Sequence, residues 1–258
     1  METWRSAIVD AGPDHIRVRG RDVLELMRSA TFTDLIFLLH HARLPTEAER
    51  RLIDAILIGS ADHGAGAPSC AAARLAASGN RQSPSAAIAA GVLTIGDEHG
   101  GAGSSCMEMI VAALERARRD GMSLDEVARH VVDDARAAKA RLPGFGHRVH
   151  ATVDPRVDVL FGLAEEGGLA GDGIRCVRAL EQAIGERIKP LPINIDGALA
   201  AILVDLGFPP LMGVLLFVVA RVAGISAEVL EEHLREKPMR IRIPVAYDGE
   251  PPQSMANG

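Results

Sequence analysis

The chain of 258 residues carries a net charge of −6, is 48% apolar and is only 3% aromatic. A length of this order buries a substantial core, as one large domain or as a large domain with a small lobe. With so few aromatics, that core falls to alanine, leucine, isoleucine and valine, which suits closely packed helices. The acidic balance argues against a nucleic-acid surface, so any anionic ligand must be held by a few placed arginines.

The opening METWRSAIVDAG lacks the basic-then-apolar pattern of a signal peptide. Residues 14–19 put Ile16 and Val18 on one face and predict a short strand. Helices follow. Arg21 to Arg28 supplies Val23, Leu24, Leu26 and Met27, and Thr31 with Asp34 resembles a capping box before Leu35 to His41. Thr46 and Glu49 form a clearer box ahead of a stripe of Leu52, Ile53, Ile56 and Leu57. Residues 68–77 and Ser85 to Thr94 read as small-residue helices separated by the loop SGNRQSP (78–84). Ala102 to Arg118 is amphipathic, and Ser123 with Glu126 caps Leu124 to Lys139, which Pro143 stops.

Beyond the loop from Pro143 to Pro155, the sequence Asp154-Pro155-Arg156 opens a helix with proline in its first turn. GGLAGDGI (167–174) reads as a loop, Ile174 to Lys189 as an amphipathic helix, and Asn194-Ile195-Asp196-Gly197 as the opening of Ala198 to Leu206. Pro209 and Pro210 introduce a buried helix up to Val222; its most apolar run, Leu211 to Ala220, is too short to span a bilayer. Ser226 starts a separate polar helix to Glu236, RIRIP alternates like a strand, and the tail from Pro251 reads as flexible. Cys70, Cys106 and Cys176 have neither zinc-type spacing nor a disulfide framework, and read as buried free thiols in a reducing cytoplasm.

Four glycine-bracketed turns carry the chemistry: ADHGAG around His63, GDEHGG around His99, PGFGHR around His147 and NIDGAL around Asp196. Glycine beside a histidine permits sharp turning and close ligand approach. Histidine and aspartate together suit proton transfer near neutral pH. Taken singly, each histidine reads as a capping or core residue. The four turns together predict one site assembled from distant loops and helix ends. A metal site of His63, His99 and His147 competes with that reading but lacks ligand spacings that sequence can vouch for. His15, His40, His41, His130, His150 and His233 read as structural or exposed.

These turns, in this order, resemble the citrate synthase superfamily, as do DPR at 154–156 and the N-terminal stretch IRVRGRDVLELMRSATFTDLIFLLHHARLPTEAE. ADHGAG, GVLTIGD, GFGHRV and INIDGALAAILVDLGF look most like citryl-CoA lyases, including the C-terminal module of ATP-citrate lyase. The resemblance implies a mainly α fold with a large helical domain and a reduced small domain. The resemblance runs from about residue 14 to about residue 247, and the single domain it implies takes in residues 1–250, with the small lobe within about 123–190 and a flexible tail at 251–258.

It implies cleavage of citryl-CoA to acetyl-CoA and oxaloacetate, with a short citrate synthase or a non-catalytic CoA or dicarboxylate-binding module as alternatives. By resemblance His147 addresses the hydroxyl, His99 the thioester oxygen and Asp196 the methyl carbon. His63, Arg156 and Arg221 bind substrate carboxylates, and Arg242 reaches into a neighbouring subunit's site, a role Arg240 could fill instead. Arg148 adjoins the site and is a candidate contact for CoA phosphates. The expected enzyme is a cytoplasmic homodimer or higher homo-oligomer. It has no metal, no tightly bound cofactor, and neither nucleic acid nor membrane as partner. Taken without the resemblance, Arg221 at the end of an apolar helix reads as a snorkelling surface residue.

Overall fold

In the computed structural model, which describes residues 3–146 and 154–250, eleven helices follow a small antiparallel sheet. The sheet has the order β1 (Val9–Gly12), β2 (His15–Val18), β3 (Arg21–Asp22), with Val9 opposite Val18 and Arg17 opposite Asp22. Only the middle strand shows in the sequence, because VDAG and RD are too short and too polar to alternate. The Asp22 carboxylate accepts the Leu24 and Glu25 N–H groups and starts α1 (Val23–Ser29). The capping boxes of Thr31 with Asp34 and Thr46 with Glu49 open α2 (Phe32–His41) and α3 (Glu47–Ala61).

Next come α4 (Pro68–Gly79), α5 (Pro84–Leu93) and α6 (Ala102–Asp120). The expected loop at 78–84 is shorter by Ser78 and Gly79, which close α4. The Ser123–Glu126 box opens α7 (Leu124–Ala137), and α8 (Pro155–Glu166) begins at Pro155 behind the Asp154 cap.

Three expectations are corrected in the C-terminal half. The glycine-rich stretch 167–174 is not loop throughout, because α9 (Asp172–Arg187) starts inside it. Its first N–H groups are satisfied from a distance: the Asp205 carboxylate accepts from Gly171 (2.9 Å), Gly173 (2.6 Å) and Ile174 (3.1 Å). After α10 (Ile195–Asp205), the expected pair of helices is a single one, α11 (Met212–Arg235). Gly224, in the gap between the two expected helices, marks a close crossing: a side chain there would collide with the Ala61 carbonyl oxygen. At 24 residues α11 is long and apolar enough to cross a membrane by those measures alone. It nevertheless packs against α3, α4, α5, α6 and α10 and buries Arg221, Glu228 and Glu232, as a core helix does. RIRIP forms no strand.

The main core gathers side chains from α2, α3 and α6 to α10 with the start of α11, and a second, smaller one lies between α4, α5 and α11. Helix α10 runs through the main core with Ala198 to Leu203 all buried. A helix apolar on every side can only sit inside the protein. The three cysteines are buried and free.

Candidate active site

The last turn of an α-helix leaves carbonyl oxygens without intrahelical partners. In α3 two consecutive ones are taken by arginines from elsewhere in the chain. Arg156 donates through Nη1 to Gly59 O (3.1 Å), and Arg221 donates through Nε to Ser60 O (3.0 Å). Asp154, only 1% exposed, locks Arg156 in a two-pronged pair with Nε (2.9 Å) and Nη2 (2.7 Å). Arg221 is 3% exposed, so the snorkelling alternative fails. Its guanidinium lies 4.7 Å from the Phe217 ring centre, and its hydrogen bonds go to a carbonyl and a hydroxyl, not to a carboxylate.

That hydroxyl belongs to Ser69, in the first turn of α4 and fully buried. Arg221 Nη1 donates to Ser69 Oγ (3.2 Å), which leaves the hydroxyl proton for His99 Nε2 at 2.9 Å. The Ser69 backbone N–H points at the same nitrogen from 3.4 Å. A backbone N–H can only donate, so Nε2 is the acceptor and Nδ1 carries the proton. His99 is itself placed by a tight turn in which Gly96 and His99 exchange both backbone hydrogen bonds at 2.9 Å, and Phe217 meets its ring edge-on at 6.1 Å. Burial, then the Arg221 charge, holds the imidazole below its ordinary pKa, so it is neutral near pH 7. The result is a neutral ring with one N–H available.

Asp196 stands in the first turn of α10, where a carboxylate is favoured by the helix dipole. Burial pushes its carboxyl above the usual range; Arg156 and then Arg221 pull it back, and Asp154 adds to the push. Asn194 Oδ1 caps the helix by accepting from Asp196 N (3.0 Å) and Gly197 N (3.1 Å). The turn at 143–146 is stitched beside it. Asn194 N donates to Gly144 O (3.0 Å), Gly146 N to Pro192 O (2.7 Å), and Phe145 bridges Ile193. Gly144 and Gly146 take φ of +88° and +78°, a region side chains disfavour.

The structure therefore brings His99, Arg156, Arg221 and Asp196 into one electrostatic neighbourhood. His63 lies exposed just past the end of α3. Arg242 lies exposed in the C-terminal segment, with no hydrogen bond or ion pair among the described residues. Arg240 is engaged: it grips the buried Glu232 at 3.0 and 2.6 Å, so of the two C-terminal arginines it is the committed one. His147, Arg148 and His150 lie outside the described residues. Ser69 and Asp154 carry no sequence signal of their own, since a serine after a proline reads as a helix start and an aspartate before one reads as a cap.

The fold class is that of citrate synthases and their lyase relatives. Citryl-CoA lyase from Hydrogenobacter thermophilus superposes with a TM-score of 0.89 at 33% identity, over 98% of each chain. ATP citrate lyase from Methanosaeta concilii, solved with (3S)-citryl-CoA, gives 0.79 at 20% identity, over 97% of this chain and 42% of that one. The chain belongs to the citrate synthase family: the family of the citrate synthase C-terminal domain matches residues 45–242. Citrate synthase from Haloferax volcanii is 30% identical over 236 residues, covering 90% of this chain and 59% of its own length. That from Helicobacter pylori is 29% identical over 245 residues, covering 90% and 54%. The chain thus spans somewhat over half the length of these curated relatives.

Proposed function

We propose that this chain is a citryl-CoA lyase, cleaving citryl-CoA to acetyl-CoA and oxaloacetate by acid–base catalysis. The observation that carries the reading is the chain of contacts from Arg221 through Ser69 to His99, which presents a neutral N–H donor near a partly buried carboxyl group. The lyase reading is further supported by the likeness to the Hydrogenobacter thermophilus lyase along the whole of both chains.

In this reading His147 takes the proton of the tertiary hydroxyl as it becomes a ketone. The carbon–carbon bond breaks, and its electron pair moves onto the thioester as an enolate. His99 Nδ1–H hydrogen-bonds the thioester oxygen where that charge grows, a role worth most in a site shielded from water. Asp196, kept protonated more readily by its burial, delivers its proton to the carbon and completes the acetyl group. Arg156 and Arg221 hold substrate carboxylates with His63. Arg242 completes the site of a second copy, making the working unit a homodimer at least. Arg148 meets CoA phosphates.

A second reading, a short citrate synthase condensing acetyl-CoA with oxaloacetate, is favoured by the Haloferax volcanii relative. One site serves the carbon–carbon step in both directions, and the two enzymes differ in whether water reaches the citryl thioester. Purified protein is incubated with citryl-CoA and oxaloacetate is followed by coupling to malate dehydrogenase; beside it, acetyl-CoA plus oxaloacetate is watched for free CoA. Fast cleavage with little CoA release is the expected result. Prompt CoA release in the second mixture makes it a synthase. Ligand binding with neither signal makes it a binding module or points to another acyl-CoA.

A further inference from the structure

Asn194 makes more contacts than a helix cap needs. Capping uses only the side-chain oxygen, and serine, threonine or aspartate supply that equally well. The amide nitrogen, Nδ2, turns the other way and donates to Gly146 O at 2.8 Å. That carbonyl belongs to the peptide group joining Gly146 to residue 147. One side chain thus holds the first turn of α10, where Asp196 sits, and the end of the turn that leads into His147. No other common capping side chain has both an acceptor for the helix and a donor with this reach.

The two turns also touch backbone to backbone. A side chain on Gly197 would collide with Gly144 O, and one on Gly144 would lie 2.6 Å from Cys106 Sγ and 2.8 Å from Gly197 Cα. With the Asn194-to-Gly144 and Gly146-to-Pro192 bonds, the turns form a clasp whose closing member is the Asn194 amide.

We infer that Asn194 is a positioning residue: its amide fixes the first turn of α10, which bears Asp196, against the turn at Gly144–Gly146, and so sets where the Asp196 carboxyl stands. This rests on the role assigned to Asp196 above. Proton transfer to carbon demands contact distance, and misplacement by about 1 Å costs on the order of 100-fold in rate.

The test is Asn194→Ser, which keeps a capping oxygen but cannot reach Gly146 O. The expected variant is folded, with Tm within a few degrees of wild type and KM for the thioester within about threefold, but kcat lowered about 10- to 100-fold. In an Asp196→Asn background the same substitution costs little more, since the placement it sets no longer matters. Asn194→Asp, which keeps the length and the cap but lacks the donor, is impaired similarly. Hydrogen exchange supplies a readout independent of turnover: Asn194→Ser speeds exchange in peptides covering Gly144–Gly146 while the interior of α10 stays protected. A folded Asn194→Ser with kcat within twofold of wild type overturns the inference, as do unchanged exchange at Gly144–Gly146 or full additivity with Asp196→Asn. A wild-type protein that turns over neither citryl-CoA nor acetyl-CoA plus oxaloacetate overturns the reaction instead, and the exchange measurement still judges the clasp.

Discussion

Two arginines packed around α11, Arg221 buried and Arg74 nearly so, are handled in opposite ways. Arg74, from α4, meets Glu228 (2.5 Å), Glu232 (3.0 Å) and Glu231 (3.3 Å), and Glu232 is shared with Arg240. Burial pulls the Arg74 pKa down, but the hydrogen bond and charge of Glu228, followed by Glu232 and Glu231, outweigh it and leave the value raised. Arg221, from the middle of α11, has a carbonyl, a hydroxyl and an aromatic face. Its pKa falls below the ordinary arginine value, because burial outweighs the carboxylates and thiol around it. A buried cation with its anions in place holds a structure together. One without them costs stability until an anion arrives. The first arginine ties α4, α11 and the C-terminal segment into one corner, and the second keeps its charge with no carboxylate hydrogen-bonded to it.

The comparison can be broken by substitution. The largest effect is expected at Asp196, the carboxylate in the Arg221 field. Asp196→Asn lowers kcat for citryl-CoA cleavage about 10³- to 10⁴-fold while stabilising the fold. The folded pKa of Asp196 is raised, so ionisation opposes folding. That cost is absent below the unfolded carboxylate value, grows as pH rises through the interval up to the folded value, and is present in full above it. Thermal melts therefore show Asp196→Asn above wild type at pH 7 and level with it near pH 3; a lower Tm at pH 7 refutes the argument.

Arg221→Met comes next. Losing charged hydrogen bonds to substrate costs kcat/KM about 10²-fold or more, and Tm holds or rises because an uncompensated cation has gone. Ser69→Ala leaves Arg221 in place but removes the bond that orients His99, so kcat falls about tenfold with KM little changed. Arg74→Met has the smallest effect on activity, within about twofold per folded molecule. It costs about 3 kcal/mol of stability in a denaturant titration, because Glu228 and Glu232 are left buried with fewer partners. If Arg221→Met and Arg74→Met lose stability alike, the two sites are not the different devices described here.

How much of this was legible depended on the sequence distance between partners. The capping boxes at Thr31, Thr46 and Ser123 are local three-residue patterns, and they stand where the sequence puts them. The start of α9 was not legible, because its cap is Asp205, more than thirty residues downstream. The false break in α11 came from starting a separate helix at Ser226 on local propensity alone, when the helix runs on through Gly224 at a close crossing. The helical fold and family were legible from the ordered turns. The couplings inside the site were not, because Ser69 to His99 and Arg156 to Gly59 are long-range contacts. That Arg240 is engaged within its own chain was not legible either, because only folding places Glu232 beside it.

Helix α3 acts as a ruler. Its first turn is fixed by the Thr46–Glu49 box and by Arg43, which grips Glu49 at 2.6 Å; its last turn offers Gly59 and Ser60 to the two arginines. The clamp at one end and the two carbonyls at the other all belong to one helix of fifteen residues. Deleting or inserting one residue anywhere between them turns the terminal carbonyls by about 100° around the axis and shifts them about 1.5 Å along it. Each arginine would then face a side of the helix that offers no free oxygen. Point changes on α3's outer face are tolerable; a change in its length is not.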